Sequence, residues 1–346
     1  MRIQVNARNR GHEFAAAAGE SVLYAGLRAA VDLPYECATG TCGTCKAKLV
    51  AGTVRDLWPQ APGLRHVNAQ RGELLMCQCA AENDATFEVA SFVHAADGAA
   101  PGPASGLLRD TRMLTRDVAS FALELGQPLD FDAGQFVVVR APGLQGYRAY
   151  SMVNHAPGAT RLEFVARRKP GGGFSAWLFG ATARDGARLD LFGPLGKATF
   201  HPGLEKDILC IAGGSGIAGM MSILAHAARE RQFERHFGWV FFGVRGVRDA
   251  FFLEELSALV ARVPGRLAVT LALSEEAPPA TFASDWPHIA CAQGMVHEVA
   301  RQAMAGRYGN VRAYVAGPPP AVDAAIRVLL LEARLTTDNI RYDKFS

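Results

Sequence analysis

The stretch ECATGTCGTCK at residues 36–46, followed by LMCQC at 75–79, decides how the rest of the chain is read. Cys37, Cys42 and Cys45 stand as C-x4-C-x2-C, with Cys77 following at a distance, which is the plant-type spacing in which four thiolates hold a [2Fe–2S] cluster. Three ligands from one tight loop require the backbone to curl around the inorganic sulfides and turn N–H groups toward them. Gly40 and Gly43 permit that curl, because glycine accepts backbone angles that other residues avoid. The competing reading is half a zinc site built on Cys42 and Cys45. Zinc ribbons use a second C-x2-C, whereas the later pair, Cys77 and Cys79, has a single residue between its members. A Rieske centre needs two histidine ligands, and no Cys-x-His pairing lies near this loop. Cys77 is therefore the expected fourth ligand, and Cys79, Cys210 and Cys291 are expected to be small buried hydrophobes.

Around that loop the bulk numbers are those of soluble globular material. At 346 residues the chain exceeds what one core usually serves, so two or three domains are expected. The 36 basic and 33 acidic residues are mixed along the chain, without a basic run interleaved with aromatics, so nucleic acid is not an indicated partner. The start, MRIQVNARNRGHEF, is not a signal sequence, and the apolar runs are far shorter than a membrane span. Seven cysteines, four of them crowded between Cys37 and Cys77, read as metal ligation rather than as a disulfide framework. A cytoplasmic monomer with no membrane association is the expectation.

Residues 93–106, VHAADGAAPGPASG, are almost wholly Ala, Gly, Pro and Ser and read as a linker. Before it, residues 1–92 open with a strand at Ile3 to Val5 and a helix starting near Ser21. After it, residues 107–203 hold short alternating runs, at Leu107 to Leu114, Val118 to Leu125, Phe136 to Arg140, Arg148 to Met152 and Leu162 to Arg167, which suggest a small antiparallel barrel. From residue 204 to 346 strands and helices alternate, with strands at Ile208 to Ala212, Trp239 to Phe242, Leu267 to Leu273 and Ala313 to Val315. Such alternation argues for a parallel sheet covered by helices on both faces.

Two further motifs fall into this frame. In the barrel segment, Arg148, Tyr150 and Ser151 form R-x-Y-S, and KPGGGFS follows with Gly172, Gly173 and Ser175 at the head of a helix. An aromatic ring can stack on an isoalloxazine, a serine can hydrogen-bond its edge, arginine can neutralise a pyrophosphate, and glycines leave N–H groups for a second phosphate contact. Each piece alone is an ordinary strand or turn. Their weight comes from sitting between a one-electron cluster and a nucleotide-type domain, where a flavin is the usual converter of electron pairs into single electrons. In the last segment, ILCIAGGSGIAG at 208–219 is an apolar strand running into a glycine-rich turn, with Gly213, Gly214 and Gly216 placed for a pyrophosphate. Gly317 and Pro318 end a second apolar strand, AYVAGPPPAV, where such sheets place ligands. In GVRGVRD, Arg245 or Arg248 suits an NADPH 2′-phosphate and Asp249 an NADH ribose, so NADH and NADPH both stay open.

Taken together, the chain resembles the fused ferredoxin–NAD(P)H reductase family over its whole length. Among those it is similar to the reductase components of multicomponent oxygenases: PYEC at 34–37 and LWPQAPGL at 57–64 resemble toluene monooxygenase reductases, and RAYSM and PGGGFS those of naphthalene and terephthalate dioxygenases. The resemblance implies a multidomain α+β and α/β fold, made of a β-grasp [2Fe–2S] ferredoxin domain, an antiparallel β-barrel FAD domain and a parallel-sheet NAD(P)-binding domain. It implies FAD as the flavin, with Arg148 and Ser175 at the pyrophosphate, Tyr150 and Ser151 at the flavin ring, and Phe345 as a terminal aromatic against it. It implies NADH as electron donor, and as acceptor an oxygenase component, di-iron or Rieske, or an intermediate ferredoxin. A non-oxygenase acceptor such as a deoxysugar dehydrase shares this domain order. Two positions depart from the family pattern: Ala316 replaces the usual cysteine beside the nicotinamide, and Gly219 the usual proline after the first nucleotide loop. The Ala316 departure is the one feature that would suit a redox-sensing protein with little turnover.

Overall fold

The computed structural model describes residues 1–96, 98–180 and 185–344. Its first unit is a five-stranded sheet in the order Gly11–Ala15, Arg2–Asn6, Ala85–Glu88, Lys46–Ala51 and Glu73–Leu75. Arg2–Asn6 runs parallel to Ala85–Glu88 and antiparallel to its hairpin partner, and the helix Val22–Arg28 packs across the sheet. The helix starts where the sequence places it, because the Ser21 hydroxyl accepts the Tyr24 N–H at 3.2 Å. Its residues Val22 to Leu27 are all buried.

The second unit is a six-stranded antiparallel sheet, in the order Arg148–Ser151, Phe136–Arg140, Arg188–Leu195, Gly102–Met113, Val118–Leu129 and Ala159–Arg167. It rolls up on itself: just past its first strand the Val153 N–H donates to the Glu163 carbonyl in its last, at 2.8 Å. The strand Gly102–Met113 begins inside the expected linker, and residues 93–96 are laced to the first unit through Val93, His94 and Ala96. The connection is therefore far shorter than 93–106. Small residues that look unstructured in sequence are held here by backbone pairing, with Gly102 to Leu107 lying against Gly193 to Arg188.

The third unit is a six-stranded, wholly parallel sheet in the order Ile289–Gln293, Leu267–Leu273, Gly238–Val244, Asp207–Gly213, Val311–Gly317 and Ile340–Lys344. Its strand order reverses between Asp207–Gly213 and Val311–Gly317, so their C-terminal ends frame a crevice at the switch point. The two edge strands, with one buried residue each, carry too little apolar pattern to be seen in the sequence.

The units pack directly on one another. Tyr24 stacks on Phe192 at 4.4 Å, joining the first core to the barrel, and the Tyr35 hydroxyl accepts the Gly196 N–H at 3.1 Å. Between barrel and parallel sheet, the fully buried Ser222 hydroxyl accepts the Gly134 N–H at 2.9 Å and donates to the Gly219 carbonyl at 2.8 Å. Beside it His155 and His226 stack at 4.2 Å. Among the described residues no helix is long and apolar enough to cross a membrane.

Candidate functional site

The loop after the first helix gathers sulfur. Thr39 and Thr41 each direct a backbone N–H at the Cys37 sulfur at 3.4 Å, and Thr44 does the same to Cys42 at 3.4 Å. Gly40 and Gly43 hold φ of +85° and +84°, and a side chain on either would run into Gln78 or His66. The four thiols form two couples. Cys37 and Cys42 share a hydrogen bond, which together with the threonine N–H groups holds the Cys37 thiol down to about 4 against burial, while the same bond pushes Cys42 up. Cys45 and Cys77 lie 3.2 Å apart, and that contact together with burial raises Cys77. Cys79 points elsewhere, toward the Met76 carbonyl, and burial raises its thiol.

Two couples suit a particular donor geometry. Two thiols per metal, surrounded by N–H donors, is the arrangement that a pair of bridged irons takes up.

The strand Arg148–Ser151 lies against the sulfur loop. A small cavity of about 20 Å³ is lined by Cys37 and Glu36 from the loop, Phe136 and Ala149 from the barrel, and Tyr342, Asp343 and Lys344 from the last strand of the parallel sheet. Ala149 sits between Arg148 and Tyr150. The Arg148 guanidinium rests over the Trp58 ring at 5.1 Å and donates to the Tyr147 carbonyl at 2.8 Å, with no carboxylate partner among the described residues. Tyr150 packs on Phe121 at 5.5 Å and Phe174 at 5.0 Å, and burial pushes its phenol up. Ser151 is buried against Gly219, the start of the first helix of the parallel sheet domain.

The glycine loop differs from expectation in one respect. The Ser175 hydroxyl is turned inward, within 3.1 Å of the Lys169 backbone and 3.0 Å of the Gly172 carbonyl, so here it shapes the loop instead of facing outward. A buried hydroxyl needs a partner, and the turn supplies it. Gly172 leaves no room for a side chain beside Ser175, and Gly173 opens the helix Gly173–Phe179. Phe345 lies outside the described residues.

Beyond Ser151 a cleft of about 200 Å³ opens at the switch point. Gly213, Gly214 and Ser215 line one side and Pro318 the other. Gly216 sits hard against the Ala316 carbonyl, and Gly317, at φ +142°, approaches Gly213 so closely that a side chain on it would lie 2.9 Å from the Gly213 carbonyl. At the mouth Arg245 is held by two carboxylates, Asp249 at 3.0 Å and Asp117 at 3.4 Å. Arg167 also binds Asp117, at 3.0 Å. One Asp249 oxygen is buried without a hydrogen-bond partner, although Arg116 stands 3.6 Å away. Glu276 accepts the Val247 N–H at 2.6 Å. Asp117, Arg116 and Arg167 belong to the barrel. No local pattern in the sequence marks them, because they reach the cleft only through domain packing.

Comparison with known proteins places each unit. Residues 5–82 match the 2Fe-2S iron-sulfur cluster binding domain, 105–200 the oxidoreductase FAD-binding domain, and 210–327 the oxidoreductase NAD-binding domain. The chain is 36% identical over 329 residues to the ferredoxin–NAD(P)(+) reductase CarAd of Metapseudomonas resinovorans, covering 94% of this chain and 95% of that protein. It is 34% identical over 348 residues to the ferredoxin–NAD(+) reductase component of the alkene monooxygenase system of Xanthobacter autotrophicus, covering 97% and 99%. A solved ferredoxin reductase in carbazole 1,9a-dioxygenase superposes over 100% of this chain and 99% of that one with a TM-score of 0.84 at 33% identity.

Proposed function

The chain belongs to the fused ferredoxin–NAD(P)H reductase family, whose members include reductase components of multicomponent oxygenases, and on that premise we propose that it carries electrons from NADH to the terminal component of an oxygenase or to an intermediate ferredoxin. Bound FAD supplies the conversion of a hydride into single electrons, and a bound [2Fe–2S] cluster relays them outward. The chain's own residues bind, orient and insulate those groups. Cys37 with Cys42, and Cys45 with Cys77, are the two thiolate pairs for the irons. Arg148 offers the pyrophosphate a cation that no carboxylate neutralises, Tyr150 and Ser151 face the flavin ring, and Gly172 and Gly173 leave room for phosphate. Ser175 holds that loop in shape. Gly213, Gly214, Gly216, Gly317 and Pro318 form the nucleotide crevice.

One observation carries this reading: Cys37 and Ala149 line the same small cavity, so a cluster ligand meets the flavin motif with no intervening layer of protein. For the donor, Arg245 is taken up by two carboxylates, and one Asp249 oxygen, with Arg116 3.6 Å away, has no hydrogen-bond donor among the described residues, an arrangement that leaves an acceptor for ribose hydroxyls. NADH is therefore the proposed substrate. All seven cysteines are free of disulfides, which fits work in the cytoplasm. The test is anaerobic: NADH added to purified holoprotein should bleach flavin and cluster absorption together and much faster than NADPH does. A flavin band that bleaches while the cluster band persists would refute the coupling.

A further inference from the structure

The loop that holds the sulfurs has an inner and an outer side. Cys37, Cys45 and Cys77 are buried, and on the inner side Glu36 meets the barrel and Asp343 and Lys344 of the last strand. Cys42 alone of the four is half-exposed, with Thr44 open to solvent beside it. Any protein that takes electrons from the cluster through a short path must approach there.

Basic side chains stand along that outer edge. His66 lies directly over Gly43 and leaves no room there for a side chain, and the neighbouring Arg65 donates to the His66 ring at 3.0 Å. On the other flank the Lys46 N–H donates to the Gly43 carbonyl at 3.2 Å. The Lys46 amine is 3.2 Å from Glu73, and Glu73 also accepts the Asn68 N–H at 2.7 Å. Arg71 follows within the short turn Ala69–Arg71. Glu73 is thus already committed, while Arg65 and Arg71 are exposed and, among the described residues, have no carboxylate within ion-pair distance. Arg65 and His66 are presented by the segment LWPQAPGLRH at 57–66. Its other end is anchored on the barrel, where Gln145 donates to the Leu57 carbonyl at 2.8 Å and Arg148 covers Trp58. Its middle is pinned to the sulfur loop by the Gly63 N–H on the Gly40 carbonyl at 2.8 Å. One segment therefore braces flavin domain, cluster loop and rim together.

We propose that the edge at Cys42 to Thr44, rimmed by Lys46, Arg65, His66 and Arg71, is the docking face for the electron acceptor, and that the acceptor is a protein presenting carboxylates around its own metal centre. This rests on the electron-transfer reading above and adds to it the sign and place of the contact. Complementary charge steers encounter and fixes orientation more than it supplies affinity, so the effect is strongest at low salt.

The test uses the holoenzyme with two haem proteins of opposite charge, the acidic cytochrome b5 and the basic cytochrome c. Binding of the oxidised probes is titrated without NADH, and NADH-driven reduction is measured separately. Cytochrome b5 should bind more tightly than cytochrome c and weaken steadily as salt is raised. Arg65→Glu should loosen cytochrome b5 about three- to tenfold and tighten cytochrome c. Arg71→Glu, in a surface turn away from the sulfurs, should act in the same direction and carries the test if Arg65→Glu disturbs the cluster bands. Reduction of ferricyanide by NADH reports the flavin and nicotinamide half alone, so a failure there is distinguishable from a failure of docking. Equal binding of cytochrome b5 by wild type and both variants, or a wild-type preference for cytochrome c, would overturn the proposal.

Discussion

Two glycines three residues apart, Gly216 and Gly219, should respond in opposite directions to the same change. At Gly216 the backbone is already helical, with φ −60°, so alanine meets no conformational penalty. Its methyl would nevertheless press on the Ala316 carbonyl and stand 2.7 Å from the Gly317 nitrogen, and both are backbone atoms of the neighbouring strand. Neither can rotate away, so the glycine loop and the strand Val311–Gly317 have to part by a large fraction of an ångström. Overpacking of that kind costs about 1–3 kcal/mol, or roughly 3–10 °C in the Tm of the nucleotide domain. The same displacement opens the crevice, and misplacement approaching 1 Å can cost up to about a hundredfold in rate, so kcat/KM for NADH should fall by at least about tenfold. At Gly219 a methyl would lie 3.5 Å from Ser151 and 3.6 Å from the Gly134 carbonyl, which is ordinary contact. Alanine there replaces a glycine in the helix's first turn and should stabilise by up to about 1 kcal/mol. Both variants are read by thermal unfolding of the holoprotein and by NADH-dependent ferricyanide reduction. If Gly216→Ala keeps wild-type Tm and NADH kinetics, the close approach of loop and strand is wrong and the nucleotide site has to be redrawn.

Cys77→Ser should abolish cluster absorption while retaining FAD, whereas Cys79→Ser should keep the cluster; iron analysis and visible spectra decide between them. Ser222→Ala strands the buried Gly134 N–H and should cost about 1–3 kcal/mol, seen as a lower Tm. Asp249→Ala removes the acceptor oxygen that has no hydrogen-bond donor and frees Arg245 and Arg116 from one carboxylate, so the ratio of NADH to NADPH kcat/KM should fall several-fold; an unchanged ratio would exclude it from the nucleotide site. Burial, followed by His155 and Arg229, holds His226 down to about 4, and burial with Arg229 lowers His155 as well. Both groups bind fewer protons folded than unfolded, so their contribution is complete above the ordinary histidine range and is lost as pH falls below about 6.5 toward 4. Tm should drop on acidification from pH 7 to 5, and His226→Phe should drop less over the same interval.

What the sequence disclosed follows from how local each feature is. The cysteine loop, the R-x-Y-S strand and the two glycine turns are contiguous, and their chemistry depends on backbone angles that glycine and spacing announce. The alternating barrel and the parallel sheet were legible because their buried strands are nearly continuous in apolar residues, as in Leu267–Leu273. Edge strands escaped notice: Ile340–Lys344 buries one residue and is otherwise polar, yet it brings Tyr342 to Glu36 and closes the cavity at Cys37. The expected linker was overlong because Gly102 to Gly106 owe their order to hydrogen bonds with a distant strand. Of the two carboxylates on Arg245, Asp249 was legible beside it in GVRGVRD, whereas Asp117 was invisible for a similar reason, since it lies in a hairpin turn 128 residues away. The charge at the cluster's outer edge likewise needed the fold to place His66 over Gly43 with Arg65 on its ring.

The central claim is that four thiols on this chain hold paired irons within electron-transfer reach of a flavin that NADH reduces. Low-temperature electron paramagnetic resonance of the anaerobic holoprotein, recorded before and after NADH, tests it most directly. The account predicts a silent oxidised protein and, after NADH, a rhombic signal from a reduced two-iron cluster. A protein that stays silent with NADH but gives that signal with dithionite, or that gives none with either, would contradict it.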